Sequence, residues 1–373
     1  MNSLLLISFL EIASYIGYIL LAILVLLIMI TVHEFGHYLS GKLLGFGIQE
    51  FAIGFGPKIY SKTKKSGEVF SIRAFPVGGF CAFSGEDEDS EDPKAFNNRP
   101  VWRRIIVLIS GSFMNYLLAL LVIIFMFGTY GQSSLISVKT TPSATIPTEN
   151  VLQDYDVILK ANGKNVYVLT DLLSAVEDKK AGDKISFTLL REKQVIEKEI
   201  TLRTDTEFKN MEDVFTLYDA LGFYYEKTEN GEMTNGGLYS TSVKLGFFKT
   251  IGRSFDYSFK LAGTVFNVLG ELLTGKLGVD SVGGTVTTIK VTADSIKIGG
   301  FRYLLNITAL IGVNLAVFNM LPIPALDGSR VVFCLIEGIR RKPISRKVEG
   351  VIHTVGLILL LLFAVFVDLN QCI

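Results

Sequence analysis

Residues 15–37 read YIGYILLAILVLLIMITVHEFGH. From Tyr15 to Val32 there is no charge, and a helix over this run is long enough to cross most of a bilayer core, which takes ~20 residues. The run ends in His33, Glu34 and His37. Ionisable groups at the end of a membrane helix are costly and by default functional. On a helix His33 and His37 lie one turn apart on one face and can hold a single metal ion, with Glu34 beside them in the place of a general base. The stretch therefore predicts both a spanning helix and a metal centre at its end.

Composition agrees with a membrane protein. Of 373 residues, 49% are hydrophobic and 19% charged, and mean hydropathy is +0.43. Lys plus Arg equals Asp plus Glu at 36 each, and no basic arm of the kind that grips nucleic acid is present. Cys81, Cys334 and Cys372 are scattered, so neither a disulfide framework nor a thiolate zinc site is expected. No Lys or Arg precedes the first apolar run, which argues for a retained span rather than a secretory signal.

Spans are predicted at about 12–32, 104–127, 303–323 and 350–367. Lys and Arg crowd the segments between the first two spans and between the last two, while the termini carry none in the first run or in DLNQCI. By the positive-inside rule both basic loops are cytoplasmic and both termini extracytoplasmic. Four parts follow: a membrane half over 1–132, a small module over 133–204, a linker over 205–300, and a second membrane half over 301–373. The module shows short β-rich runs (LISVKTT, YDVILKANGK, KISFTLLRE, VIEKEITLRT) and one helical stretch, TDLLSAVEDKK. Within the linker, Ser242–Gly275 is apolar but interrupted by charge, and reads as an amphipathic helix. In the first cytoplasmic loop, FGIQEFAIGFGPKIY and GEVFSIRAFPVGGFCAF flank the turn-like SKTKKSG, a β-hairpin signature. GEDEDSEDP after it reads as a solvated acidic loop.

A catalytic zinc wants three protein ligands and an open position. The extended zincin form would need Gly at position 40 and His at 43, where this chain has Ser40 and Leu43. His353, in the last span, is one candidate for the third ligand, with a packing role as its alternative. Asp327 is the stronger one, as the single acid in NMLPIPALDG, residues 319–328. Pro322 and Pro324 break the helix there, and the freed carbonyls survive at membrane depth only beside a polar cavity. The alternative is an ordinary turn Asp-Gly. Spans one and three run in the same direction. At 1.5 Å per residue, about 33 Å separates Glu11 from His33 and at most about 37 Å separates Arg302 from Asp327. Both motifs reach a similar depth.

HEFGH on the first span with NMLPIPALDG on the third resembles the site-2 protease family of intramembrane zinc metalloproteases. The similarity is strongest to the bacterial RseP-type branch with extracytoplasmic PDZ modules. NRPVWRRIIVLISGSFMN is similar to the family's segment leading into span two, and TPSA and DYDVILKANGK resemble PDZ segments. Ser112 stands where the family usually has proline, and its GPVGI-like segment is reduced to SVGGT at 281–285.

The resemblance implies a polytopic α-helical membrane protein with four transmembrane helices, a cytoplasmic-side β-hairpin or reentrant β element, and an extracytoplasmic PDZ-like domain. It implies a bacterial inner-membrane enzyme with its active site near the cytoplasmic face. Zn²⁺ would be held by His33, His37 and Asp327, with Glu34 as catalytic base. Substrates would be single-span membrane proteins such as anti-sigma factors, or remnant signal peptides, met within the lipid bilayer and involving no nucleic acid. Asn319 and Asn115 are candidates for holding the substrate backbone or an oxyanion, with interhelical polar packing as the alternative. Gly78 and Gly79, within the strand edge offered by Phe75–Phe80, are candidates for receiving an extended substrate, with a peripheral hairpin as the alternative. A PDZ-bearing scaffold or quality-control adaptor with a structural metal, and a zinc transporter, are the competing classes. The first would close the metal's coordination. The second would place ligands at mid-membrane on several spans.

Overall fold

The computed structural model describes residues 2–86, 90–141, 151–176, 179–203, 214–227, 233–278 and 283–372. Contacts divide the chain into two compact units, Met1–Phe125 with Tyr257–Ile373, and Met126–Asp256.

The first unit is built on long helices. They are α1 (Asn2–Leu43), α2 (Val101–Tyr130, its end in the second unit), α6 (Thr285–Asn319), α7 (Asp327–Arg340) and α8 (Arg346–Cys372). Among the described residues four stretches are long and apolar enough to cross a membrane: Glu11–Leu43, Val101–Tyr130, Val286–Asn319 and Lys347–Asn370. The number matches the sequence reading, but the third differs in its bounds. It starts earlier, taking in Lys290, Asp294 and Lys297, whose charges interrupt the hydropathy signal. It kinks at Gly300 (φ 59°, ψ −146°) and stops at Asn319, ahead of Pro322. Val25 and Met29 of α1 pack against Ile296, Leu304 and Ile311 of α6. Asp368, near the end of α8, accepts hydrogen bonds from the Val286 and Thr287 amides at 3.3 and 3.2 Å. A carboxylate at a helix N-terminus compensates its unpaired donors and dipole. Leu357, Ile358, Leu361 and Leu362 remain exposed along α8, as suits a helix whose solvent is hydrocarbon.

Between α1 and α2, β1 (Ile48–Thr63) and β2 (Val69–Phe83) form the expected hairpin, but with a doubled register. Residues 50–53 face both 69–72 and 79–82, while 58–63 face 69–73. Each long strand thus acts as two short ones, and glycines in left-handed conformation, Gly54 (φ 84°) and Gly56 (φ 85°), let β1 change course. Among the described residues no further strand pairs with the 79–83 segment. Phe46, Phe83 and Phe96 anchor the base of the hairpin against Val107, Leu108 and Val331. Of the acidic loop, residues 87–89 lie outside the described residues.

The second unit centres on a six-stranded sheet of β3 (Gln132–Ser137), β4 (Val157–Ala161), β5 (Lys164–Asn165), β6 (Lys184–Arg191), β7 (Gln194–Thr201) and β10 (Leu238–Val243). Strand order is β10-β3-β4-β6-β7, with β5 on β4. Two short helices, α3 (Leu169–Val176) and α4 (Val214–Leu221), share its core with Ile158, Ile185, Phe187 and Leu189. Strands β8 (Tyr225–Lys227) and β9 (Met233–Gly236) form a separate pair. The compact unit thus continues past residue 204. From the stretch read as linker, α4 adds to the core and β10 pairs in full with β3. Most of TPSA and the first residues of SVGGT lie outside the described residues. The amphipathic segment is a helix, α5 (Phe247–Leu273), with Phe247, Phe248 and Phe259 exposed.

Candidate metal centre

α1 delivers His33 and His37 from one face, as the i, i+4 spacing requires, and both are more than nine-tenths buried. Asp327 arrives from the first turn of α7, after the Pro322–Pro324 loop has ended α6. The three converge. His33 Nε2 lies 3.0 Å and His37 Nε2 3.2 Å from Asp327 Oδ2, and the two imidazole nitrogens are 3.1 Å apart. Among the described residues this is the one group of three or more potential metal ligands so gathered.

Hydrogen bonding bears on which ring nitrogens can bind an ion. His37 Nδ1 donates to the Val107 carbonyl at 2.8 Å, so in the neutral ring Nε2 carries a lone pair. In that state the lone pair is directed at a carboxylate oxygen and a second imidazole nitrogen, an arrangement that a cation shared among the three would satisfy. At His33, Nδ1 has the carboxamides of Asn319 and Asn115 at 3.4 and 3.5 Å. In both cases the atom facing the ring is the amide nitrogen; a flipped carboxamide would present its oxygen to Nδ1–H and leave Nε2 bare. Asn115 is fully buried, and its Oδ1 has no partner as oriented. Ligands at ~2.0–2.1 Å from a tetrahedral zinc stand roughly 3.3 Å apart, close to the separations found. The residues fit the ion.

Glu34 shares a cavity of about 300 Å³ with His33, Asp327, Asn115, Asn319, Ile30, Leu315, Ala325 and Leu326. The hairpin passes alongside. A β-carbon on Gly79 would lie 3.5 Å from Glu34 Cγ and 2.9 Å from the Ala52 carbonyl oxygen, so glycine lets the strand approach the carboxylate. Gly78 (φ 108°) abuts the Phe55 ring instead. The structure brings His33, Glu34, His37, Asp327, Asn115 and Asn319 to one place, with Gly79 at its margin.

His353 is not in the cluster. Its Nδ1 accepts a hydrogen bond from the Ala325 amide at 3.0 Å. Sequence reasoning missed Gly111 on α2. A β-carbon there would stand 2.5 Å from His37 Nε2 and 2.7 Å from His33 Cε1. Its signal was present in SGSFMN, where small residues let α1 and α2 close together, as Ser40 and Ser110 do at 2.7 Å between hydroxyls.

Comparison with known proteins points the same way. A family model described as Peptidase family M50 matches residues 21–363. Three bacterial proteins, each named "Putative zinc metalloprotease", align over nearly the whole chain. The one from Fusobacterium nucleatum is 33% identical over 360 residues, 94% of this chain and 97% of that protein. That from Clostridium perfringens is 32% identical over 359 residues, covering 95% and 98%. That from Mesorhizobium japonicum is 27% identical over 377 residues, covering 96% and 99%.

Proposed function

The chain belongs to peptidase family M50, the site-2 protease family of zinc metalloproteases, and from that premise we propose that it cleaves peptide bonds inside the membrane-spanning segments of single-span proteins. The observation that carries this reading is the meeting of His33, His37 and Asp327 nitrogen and oxygen atoms within 3.0–3.2 Å, on helices apolar enough to span a bilayer.

His33, His37 and Asp327 hold the ion, and Asn115 and Asn319 orient the His33 ring from behind. A Zn²⁺ bound there supplies Lewis-acid polarisation of the scissile carbonyl and makes a water acidic enough to attack near neutral pH. Glu34, in the same cavity, accepts the proton of the attacking water and delivers it to the departing amine nitrogen. The 79–83 segment offers backbone donors and acceptors to a substrate drawn out of its helix, because amides already bonded within a helix are shielded from attack. Asn319 and Asn115 reach the cavity wall, where either can also hold the substrate backbone.

The Lys and Arg content of the two loops supports, by the positive-inside rule, a centre near the cytoplasmic face, with the termini and the 133–204 module extracytoplasmic. The module over 133–204, PDZ-like by resemblance, acts as a gate that admits substrates already trimmed of their outer domain. Substrates of this description are anti-sigma factors released in regulated intramembrane proteolysis, or leftover signal peptides.

The test pairs metal analysis with cleavage of a model transmembrane peptide in detergent. Wild-type protein is expected to carry one zinc per chain and to cleave; Glu34→Gln is expected to keep the zinc and lose cleavage. An active Glu34→Gln protein would remove the base from the mechanism, and an active metal-free wild type would remove the metal.

A further inference from the structure

Asp327 is presented by a loop, and a loop positions a ligand only as well as it is itself held. Residues 320–326 connect α6 to α7 with two prolines, and Ala325 sits at φ 80°, a left-handed conformation that a residue with a β-carbon rarely adopts. Such a residue persists where its surroundings over-determine it. Here the surroundings are α8. The Ala325 amide donates to His353 Nδ1 at 3.0 Å. One turn further along α8, Gly356 leaves room for the same loop: a β-carbon there would lie 2.8 Å from the Pro324 carbonyl oxygen and 2.9 Å from its carbon. The imidazole is fixed in turn, edge-on to Phe333 of α7 with ring centroids 5.6 Å apart. Since Nδ1 accepts, the ring proton is on Nε2, on the side of the Glu349 carboxylate 3.9 Å away.

Resting on the metal-centre reading above, we infer that His353 is a positioning residue for the zinc. Its Nδ1 locks the Ala325 backbone two residues before Asp327, and Gly356 seats the loop against α8. The last span then has a task beyond crossing the membrane: it sets where the third ligand stands. Neither residue touches the ion.

The experiment uses the full-length zinc-loaded protein in detergent and measures the chelator concentration that removes half of the metal, with the melting temperature of each variant recorded alongside. His353→Leu keeps an apolar side chain in the span and deletes the acceptor. It is expected to lower the half-removal concentration about 10-fold, within the range for lost outer-shell support. His353→Asn, whose Oδ1 reproduces the acceptor, is expected to stay within about 3-fold of wild type on the same scale. Gly356→Ala, which leaves the imidazole intact but pushes on Pro324, is expected to lower it in the same direction as His353→Leu. Asp327→Ala is the reference that should hold no zinc. A His353→Leu protein as chelator-resistant as wild type overturns the inference, as does His353→Asn falling with His353→Leu, which would make the role one of packing. If Asp327→Ala itself retains wild-type resistance, the metal-centre reading has failed rather than this one.

Discussion

Two carboxylates, one in each unit, fully buried at Asp156 and partly buried at Asp327, show how a polar cluster that stabilises a fold differs from one arranged to bind. Asp156 in the second unit is fully buried and saturated by donors. Arg191 reaches it with two nitrogens at 2.6 and 2.7 Å, and the Gln153 amide adds a third bond at 2.9 Å. Arg253 in the same unit donates from Nε to Gln132 at 2.7 Å and from Nη2 to the Leu159 carbonyl at 3.0 Å, while its Nη1 has no partner. Asp327 in the first unit faces two imidazole nitrogens, and in a neutral ring whose Nδ1–H bonds the Val107 carbonyl the His37 nitrogen offers a lone pair. The first cluster closes its own electrostatics. The second gathers nitrogen and oxygen ligand atoms that a divalent cation can share, and that donor set separates it from an internal ion pair.

The largest expected effects test this difference directly. Asp327→Ala should empty the zinc site and reduce cleavage by about 10³-fold or more, since several kcal/mol of Lewis-acid stabilisation goes with the ion. Asp156→Asn should leave zinc content and chelator resistance unchanged while destabilising the second unit by about 3 kcal/mol, because it strands Arg191 without its partner. Metal analysis and thermal unfolding on the same two proteins read both. Zinc loss from Asp156→Asn, or retention by Asp327→Ala, would abolish the contrast.

Two glycine substitutions sharpen it at closer range. Gly111→Ala inserts a methyl group 2.5 Å from His37 Nε2, and is expected to weaken zinc binding roughly 10–100-fold in chelator competition, as displaced ligands do. Gly79→Ala crowds the Ala52 carbonyl and approaches Glu34 rather than a ligand. It should retain zinc and lower kcat on a model peptide about 10-fold, the scale of a displaced proton-transfer group. The two should separate cleanly between metal retention and turnover.

Why Gly111 was hidden while His33 was plain is a matter of range. The histidines, Glu34 and the apolar run before them are bound by helix geometry within one segment, so spacing alone reveals them. Asp327 was legible because an acid beside two prolines in an apolar stretch has few other uses. Gly111 and His353 carry their meaning only through partners far away in sequence: α1 for one, the Ala325 loop for the other. The same holds for β10, whose pairing with β3 spans about a hundred residues and leaves no local pattern. Charges inside α6 concealed its first turns, since Lys290, Asp294 and Lys297 lower the hydropathy of a helix that continues through them. The doubled register of the hairpin escaped because alternation marks strands without naming neighbours.

The smallest expected effect asks whether the contrast belongs to the units or to the pairing. Glu68 lies in the first unit, in the hairpin, yet it is built like Asp156. Lys64 donates to it at 2.6 Å, Lys42 stands 3.5 Å away, and both lysines also reach the Tyr38 hydroxyl. Burial alone would raise its pKa, but the Lys64 hydrogen bond and the neighbouring positive charge outweigh that and hold it below its ordinary value of 4.5. A carboxylate with a depressed folded pKa adds stability above its unfolded value, and the gain is lost as pH falls through the folded one. Both lysines are largely exposed, so the contribution is about 0.5–1 kcal/mol, in the range of screened surface pairs. Thermal unfolding should show wild type above Glu68→Gln by that margin at pH 7 and at pH 6, with the gap closing below about pH 4. Zinc content should match wild type throughout. A gap that is independent of pH would assign the Glu68 contribution to packing, and a change in zinc content would mean that paired charges in this unit also serve the metal.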